Sequence, residues 1–320
     1  MPSPWPLYDL LIEYASAPDP VEDVIIGPIW TLCRTARGTG LAMSPQVPTR
    51  TLDWSGTLCG RPVSELASWV KDFEPYKAAV GLAAINSAAA ELGVPPESLP
   101  VEPGPVLPAN LSVFEHFLPD LGGRKVVVIG RYPGMEKLAD RCRLTVLERN
   151  PGPGDLPDTA AEYVLPDADW VFITASSLAN KTFPRLAELA GGARTVLMGP
   201  SLPWLAEFAD WGIDYLAGVE VVDAVALRRT VAEGGGVRIF DGPVRYRVAE
   251  LTAEFRLAWL KDRIAALFAR KEYLTLAMDD WYRTNNRRFP DLARLESTRR
   301  KLSCLDTAYK LLWDRQKEAP

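Results

Sequence analysis

Unbroken apolar runs separated by short loops dominate the chain between residues 125 and 236. The run Val126-Val127-Val128-Ile129 ends in Gly130-Arg131-Tyr132-Pro133-Gly134, and a helix-like stretch, Met135 to Cys142, follows. A second run, Leu144 to Leu147, ends on the acidic Glu148. Trp170 to Thr174 reads as a third buried strand and Thr195 to Met198 as a fourth, with helices expected at Pro184 to Ala190 and Pro203 to Trp211. Gly212 to Leu216 and Val225 to Glu233 add one more strand and helix. Strands that are apolar throughout and alternate with helices predict a parallel sheet covered on both faces, with right-handed crossovers.

The flanks have different textures. Leu7 to Tyr14 predicts a short helix, and Val21 to Ala36 reads as a strand dense in β-prone residues. Gly38-Thr39-Gly40 reads as a hairpin turn into a second strand, Leu41 to Met43. Arg61-Pro62-Val63 opens a helix through Val70, and Lys77 to Leu92 reads as an alanine-rich helix. Residues 1–92 thus form a small α+β domain, and residues 93–108, with six prolines, a stiff linker. The sheet domain occupies residues 109–250. Beyond it, residues 251–320 predict two long amphipathic helices, Glu254 to Met278 and Asp291 to Gln316, broken at Asn285-Asn286 and folded into a hairpin.

Composition narrows the function classes. The chain has 320 residues, 48% hydrophobic and 24% charged, as ordinary globular proteins do. It has no apolar run long enough to span a membrane, and Met1 to Pro6 is proline-rich and uncharged rather than signal-like, so a cytoplasmic protein is expected. The four cysteines are scattered without a Cys-x-x-Cys pair, and His116 is the one histidine, which disfavours zinc knuckles, disulfide frameworks and Ser-His-Asp catalysis. Net charge is −5, yet residues 251–320 hold 15 Lys/Arg against 10 Asp/Glu; a tail of +5 leaves −10 for residues 1–250. An acidic body argues against nucleic-acid binding and favours docking of the basic tail on the body or on a second copy, as in a homodimer through the C-terminal helices.

Candidate chemistry collects at the predicted carboxyl ends of the strands. Gly130-x-x-x-Gly134 keeps a tight turn but is not the Gly-x-Gly-x-x-Gly dinucleotide fingerprint. Glu148 lies 18 positions beyond Gly130, where an acid in such folds holds ribose hydroxyls, and Asn150 shapes the same loop. Thr174 and Ser176 leave the third strand, Asn180 and Thr182 precede the next helix, Ser201 follows the fourth strand, and Asp223 ends a later loop. Each also has a plainer reading: Asn180, Thr182 and Asp223 suit helix caps, and Glu148 a solvated strand end.

Five runs in register resemble one family: Gly81-Leu82-Ala83-Ala84-Ile85-Asn86, Glu148-Arg149-Asn150-Pro151, Thr174-Ala175-Ser176 to Asn180-Lys181-Thr182, Gly199-Pro200-Ser201, and Gly218-Val219-Glu220-Val221-Val222-Asp223. Over about residues 7–248 the chain resembles the putative heavy-metal chelation family, a domain of unknown function. The resemblance implies a small enolase-N-terminal-like α+β domain followed by a Rossmann-like parallel-sheet domain, with a ligand site in the cleft between them. It would bring Asn86 of the first domain to face Glu148, Asn150, Thr174, Asn180, Ser201 and Asp223 of the second. Ala175-Ser176-Ser177 departs from the family's glycine-bearing turn, which alters that loop's shape.

The expectation is a binding protein for a small polar molecule or a metal chelate, in metal handling, with the C-terminal helical hairpin as an extension. Its loops offer oxygen and amide donors, whereas soft or borderline metals prefer thiolate and imidazole, so a metal would arrive chelated by an organic molecule. Two alternatives stand beside it: a nucleotide- or adenosylmethionine-dependent transferase built on Glu148, and an adaptor acting through the C-terminal hairpin. Whether the protein is an enzyme is left open at this stage; Glu148 or Asp223 would be its acid/base.

Overall fold

A computed structural model describes residues 4–318 of the chain. The first unit comprises α1 (Trp5–Tyr14), β1 (Val21–Ile26), β2 (Trp30–Thr35), β3 (Gly38–Met43), α2 (Val63–Ser68) and α3 (Pro75–Ala89). Its strands form an antiparallel meander in the order β1-β2-β3. Proline at the first position of α3 and the Glu74 carboxylate, which accepts from the Tyr76 and Lys77 amides, fix where that helix begins. Alanine and glycine let α3 approach its neighbours closely. A Cβ at Gly81 would lie 2.2 Å from the Val70 amide nitrogen, and one at Gly40 2.2 Å from the Ala83 carbonyl oxygen, so neither position has room for a side chain.

The second unit runs β4 (Leu99–Val101), α4 (Ser112–Leu121), β5 (Lys125–Ile129), β6 (Arg143–Glu148), β7 (Leu156–Pro157), α5 (Ala161–Val164), β8 (Trp170–Thr174), α6 (Ser176–Ala179), α7 (Phe183–Leu189), β9 (Arg194–Met198), β10 (Tyr215–Val221), α8 (Ala224–Ala232) and β11 (Val244–Glu250). These eight strands make one sheet in the order β4-β11-β10-β9-β8-β5-β6-β7. The pairs from β10 to β7 are parallel, while β11 and β4 run antiparallel to their neighbours at one edge. Strand periodicity divides the core. Val127, Ile129, Val171, Ile173 and Leu197 face one layer, while Val126, Val128, Phe172, Val196 and Met198 pack on Phe114 and Phe117 of α4. The chain leaves β5 for β6 on one side and returns to β8 on the other. In open α/β sheets such a reversal is where ligands bind, here the carboxyl ends of β5 and β8.

Two long helices, α9 (Ala253–Thr284) and α10 (Leu292–Glu318), close the chain as a hairpin. They dock on the body of the same chain. Trp259, Leu260, Leu267, Leu302, Leu305 and Leu312 join the core that holds Leu7 and Leu11 of α1. Opposite charges draw the hairpin in: Arg256 and Arg315 both reach Asp210 at 3.0 Å, as the −10 and +5 halves lead one to expect. No described helix is long and apolar enough to cross a membrane.

Several local expectations needed correction. The expected strand over residues 21–36 is two strands, because Gly27-Pro28 turns the chain between them. The hairpin turn falls at Ala36-Arg37, and Gly38 to Gly40 lie inside β3. Met135 to Cys142 is not a helix: only Met135–Leu138 makes a single 3-10 turn, entered from left-handed Gly134. Pro203 to Leu205 has no regular structure, and a 3-10 helix covers only Ala206–Trp211. Within the proline-rich stretch, Leu99–Val101 pairs with β11 as an edge strand. The alternation Val244-Arg245-Tyr246-Arg247-Val248 of β11 was a strand signal in plain view.

Candidate functional site

The loop after β5 begins at Gly130, whose φ of +91° suits glycine and whose N–H donates to the Leu147 carbonyl at 2.8 Å. Only the single 3-10 turn Met135–Leu138 follows, and no α-helix presents its amino-terminal dipole to a pyrophosphate here. Glu148, at the end of β6, accepts from the Arg131 amide at 2.9 Å, the Arg149 amide at 2.8 Å and the Asn150 amide at 3.3 Å. Its carboxylate thereby stitches the loop after β5 to the loop after β6. Asn150 is exposed beside it.

Hydroxyl groups gather at the ends of β8 and β9. Thr174 Oγ1 and Ser176 Oγ are 3.0 Å apart, and Ser177 Oγ donates to the Thr174 carbonyl at 2.6 Å. A Cβ at Gly130 would lie 3.3 Å from Thr174 Cγ2, and one at Gly199, itself at φ +114°, would lie 3.7 Å from Tyr132 Oη. Tyr132 packs its ring edge-on against Phe114 at 5.4 Å. Its buried hydroxyl lies near Thr174 yet forms no properly aligned hydrogen bond among the described residues. Burial pushes the phenol up to about 12. Gly130, Tyr132, Thr174 and Gly199 therefore converge on the switch point.

The first unit meets this edge through four polar ties. The Asn86 side-chain amide donates to the Leu41 carbonyl at 2.7 Å and to the Ser201 carbonyl at 3.0 Å, while Ser201 Oγ accepts from the Met43 amide at 2.8 Å. Tyr8 Oη donates to the Leu178 carbonyl at 3.0 Å. Lys181 Nζ donates to the Asp72 carbonyl across the seam and to the Ala179 carbonyl at 2.8 Å, and lies 5.5 Å from the centre of the Phe73 ring. Lys181 is also the one non-glycine residue at positive φ among the described residues, at 66°. Desolvation by burial lowers its ammonium to about 8, against the opposing pull of Asp72 and Glu74.

The expected site residues separate into groups. Gly130 and Thr174 come together, with Ser176 beside Thr174. Asn86 and Ser201 are joined as ties of the seam. Asn180 Oδ1 accepts from the Thr182 amide at 3.1 Å and the Thr182 hydroxyl at 2.7 Å, a self-contained turn leading into α7. Asp223 caps α8, accepting from the Val225 and Ala226 amides at 3.0 and 2.9 Å. Between β6, which carries Glu148, and β10, which precedes Asp223, stand β5, β8 and β9. At the usual interstrand spacing that is about 19 Å, so one small molecule does not bridge the two acids. Tyr132 and Lys181 were not singled out from sequence. Their interest lies in an unpartnered hydroxyl and a left-handed backbone, neither of which composition displays.

Soft donors lie apart from this edge. Cys33 is buried and pushed up to about 12, and burial also raises Cys142 and Cys304. Burial lowers His116, which stands edge-on to Phe117 on α4. Among the described residues no group of three or more His, Cys, Asp or Glu side chains is gathered to hold a metal ion. Two open cavities lie elsewhere: one of about 490 Å³ on the C-terminal hairpin, lined by Lys271, Arg299 and Lys310 among others, and one of about 480 Å³ at the amino-terminal edge of the sheet beside Arg124, Asp169 and Asp214.

Comparison with known proteins gives a consistent assignment. Residues 112–250 match the DUF364 family and residues 8–89 the DUF4213 family, both described as "Putative heavy-metal chelation". A solved DUF364-family protein of unknown function from Desulfitobacterium hafniense is 30% identical, with a TM-score of 0.64 over 77% of this chain and 98% of that one. A second, from Pyrococcus horikoshii, shares the fold at 20% identity, with a TM-score of 0.60 over 76% of this chain and 98% of that one. An uncharacterized protein of Methanocaldococcus jannaschii is 30% identical over 108 residues, which span 31% of this chain and 42% of that relative. The chain belongs to the DUF364 family, described as "Putative heavy-metal chelation".

Proposed function

We propose that the protein binds a small polar organic molecule at the carboxyl ends of β5, β8 and β9, beside the seam with the first unit, and that a heavy metal reaches it as a chelate of that molecule. The observation that carries this reading is the buried Tyr132 hydroxyl, near Thr174 but without a well-aligned hydrogen bond among the described residues, beside the Ser176 hydroxyl and flanked by left-handed Gly130 and Gly199. A buried hydroxyl without a partner costs about 1–3 kcal/mol, and a ligand oxygen or nitrogen would satisfy it. The two glycines present backbone without side chains to obstruct approach.

The donor set does not fit direct ligation of a heavy metal. Such ions favour thiolate and imidazole, and the thiols and His116 are dispersed and, where shifted, held in their neutral forms. Hydroxyls, amides and Lys181 instead suit the oxygen-rich periphery of an organic chelator. Glu148 shapes the floor through its three amide contacts rather than reaching for ribose, which weakens the transferase alternative.

Native mass spectrometry of protein purified without chelators or affinity metals tests the reading. The expected result is a retained small-molecule or metal-chelate adduct, lost in Tyr132→Phe and in Thr174→Val while the fold persists. An adduct that survives both substitutions would place the binding site elsewhere.

A further inference from the structure

The seam between the first unit and the C-terminal hairpin contains an unbalanced cluster of charges. Asp19 is 3% exposed, and its Oδ1 accepts from Arg37 Nε and from Arg294 Nη2, each at 2.9 Å. Glu91 Oε1 likewise accepts from Arg37 Nη1 and Arg270 Nη1. Arg294 also reaches Asp291, on the rim, at 3.0 Å. Lys301 is 4% exposed and makes no hydrogen bond or ion pair among the described residues. It nonetheless lies in the field of Glu91, Arg270, Asp19 and Arg37. Four cations thus surround the buried Asp19, the half-buried Glu91 and one carboxylate on the rim.

The excess arises from the hairpin. Without it, Arg37 would stand against Asp19 and Glu91, a small negative surplus; α9 and α10 add Arg270, Arg294 and Lys301. Positive charges crowded together at a half-buried seam repel one another. The Asp19 and Glu91 oxygens in use already hold two guanidiniums each. Arg37 Nη2, Arg270 Nε and Nη2, and the Lys301 ammonium make no hydrogen bond among the described residues and are not sealed from solvent, so they are open to an incoming anion. Forked guanidinium donors beside an ammonium match a tetrahedral oxyanion in shape and in charge.

We propose that this seam is a phosphate-type oxyanion site, formed by Arg37 of the body with Arg270 and Lys301 of the hairpin, and that its occupant locks the hairpin to the body. The partly exposed Arg294 and Arg37 side chains, at 35% and 25%, leave an entry from solvent. The site lies apart from the strand ends and does not rest on the function proposed for them.

The test is thermal unfolding in inorganic phosphate, in glycerol 3-phosphate and in chloride at constant ionic strength, for the full chain and for Lys301→Met. A saturable rise in Tm with phosphate over chloride is expected, with apparent affinity weakened about ten-fold or more in Lys301→Met. Exposed Lys261→Met should leave it unchanged. Should Lys301→Met fold poorly, Arg270→Gln, at another residue of the site, serves in its place. A rise with inorganic phosphate alone assigns a free ion, and one with both assigns a phosphomonoester end; either supports the site. No phosphate-specific rise in the full chain overturns the proposal. An unchanged response in Lys301→Met overturns it as well.

Discussion

Asn86 on α3 and Ser201 after β9 are joined by a 3.0 Å hydrogen bond from the Asn86 side-chain amide to the Ser201 carbonyl, and the same nitrogen donates to Leu41 on β3 at 2.7 Å. One amide therefore fixes a helix, a hairpin strand and a strand-end loop of the other unit. Asn86→Ala leaves two carbonyls without their donor and is expected to cost about 2 kcal/mol. Asn86→Asp should cost more, since it turns a carboxylate oxygen toward two acceptors. Urea unfolding would register both as a lower midpoint at unchanged slope; an alanine variant within a few tenths of a kcal/mol of the parent would contradict this role.

Lys181 adds a pH-dependent term at the same seam. Burial lowers its ammonium to about 8 in the folded protein, against about 10.4 in the unfolded chain. Below pH 8 both states hold the proton, and the burial penalty is fully present. Between pH 8 and about 10.4 the folded state releases it while the unfolded state keeps it, so this residue makes stability rise with pH across that window. The check is the difference in unfolding free energy between the parent and Lys181→Met at pH 7.5 and 9.5. A difference that does not move with pH would show that Lys181 keeps its ordinary pKa.

Much of this architecture was legible, for definite reasons. Trp170 to Ile173 and Val196 to Met198 are buried on both faces, so each is an unbroken apolar run that no loop imitates. The hairpin helices announced themselves by length and by the break at Asn285. Met135 to Cys142 failed because helix-like composition cannot overrule a span that must return the chain to Arg143 within one 3-10 turn. At the strand ends, residue type alone favoured caps at Asn180, Thr182 and Asp223 without excluding a site. Asn180 and Asp223 serve local turns and caps, whereas Tyr132 matters through a missing hydrogen bond, which only coordinates reveal.

Glu148 and Asp223 should respond differently to the same truncation. Asp223→Ala removes the α8 cap and is expected to cost about 1 kcal/mol, with amide exchange faster in the first turn of α8 and unaltered at the crevice. Glu148→Ala frees the Arg131, Arg149 and Asn150 amides, so exchange should quicken in both loops at once. Hydrogen exchange at residue resolution separates these outcomes. Acceleration confined to Arg149 and Asn150 would mean that the carboxylate does not hold the glycine turn.

The C-terminal hairpin should prove indispensable to the body rather than a removable appendage. Trp259, Leu260, Leu267, Leu302, Leu305 and Leu312 share one core with Leu7 and Leu11, so deleting residues 251–320 bares a contiguous apolar face on α1. Exposed patches of that kind drive association, and the truncated protein is expected to aggregate or to bind hydrophobic dyes. Point substitutions allow a finer comparison. Leu305, fully buried, should cost about 3 kcal/mol as Leu305→Ala, while Leu311, 54% exposed on the same helix, should cost almost nothing. Equal effects at the two positions, or a monomeric truncated body that unfolds cooperatively, would show that the hairpin does not complete the core.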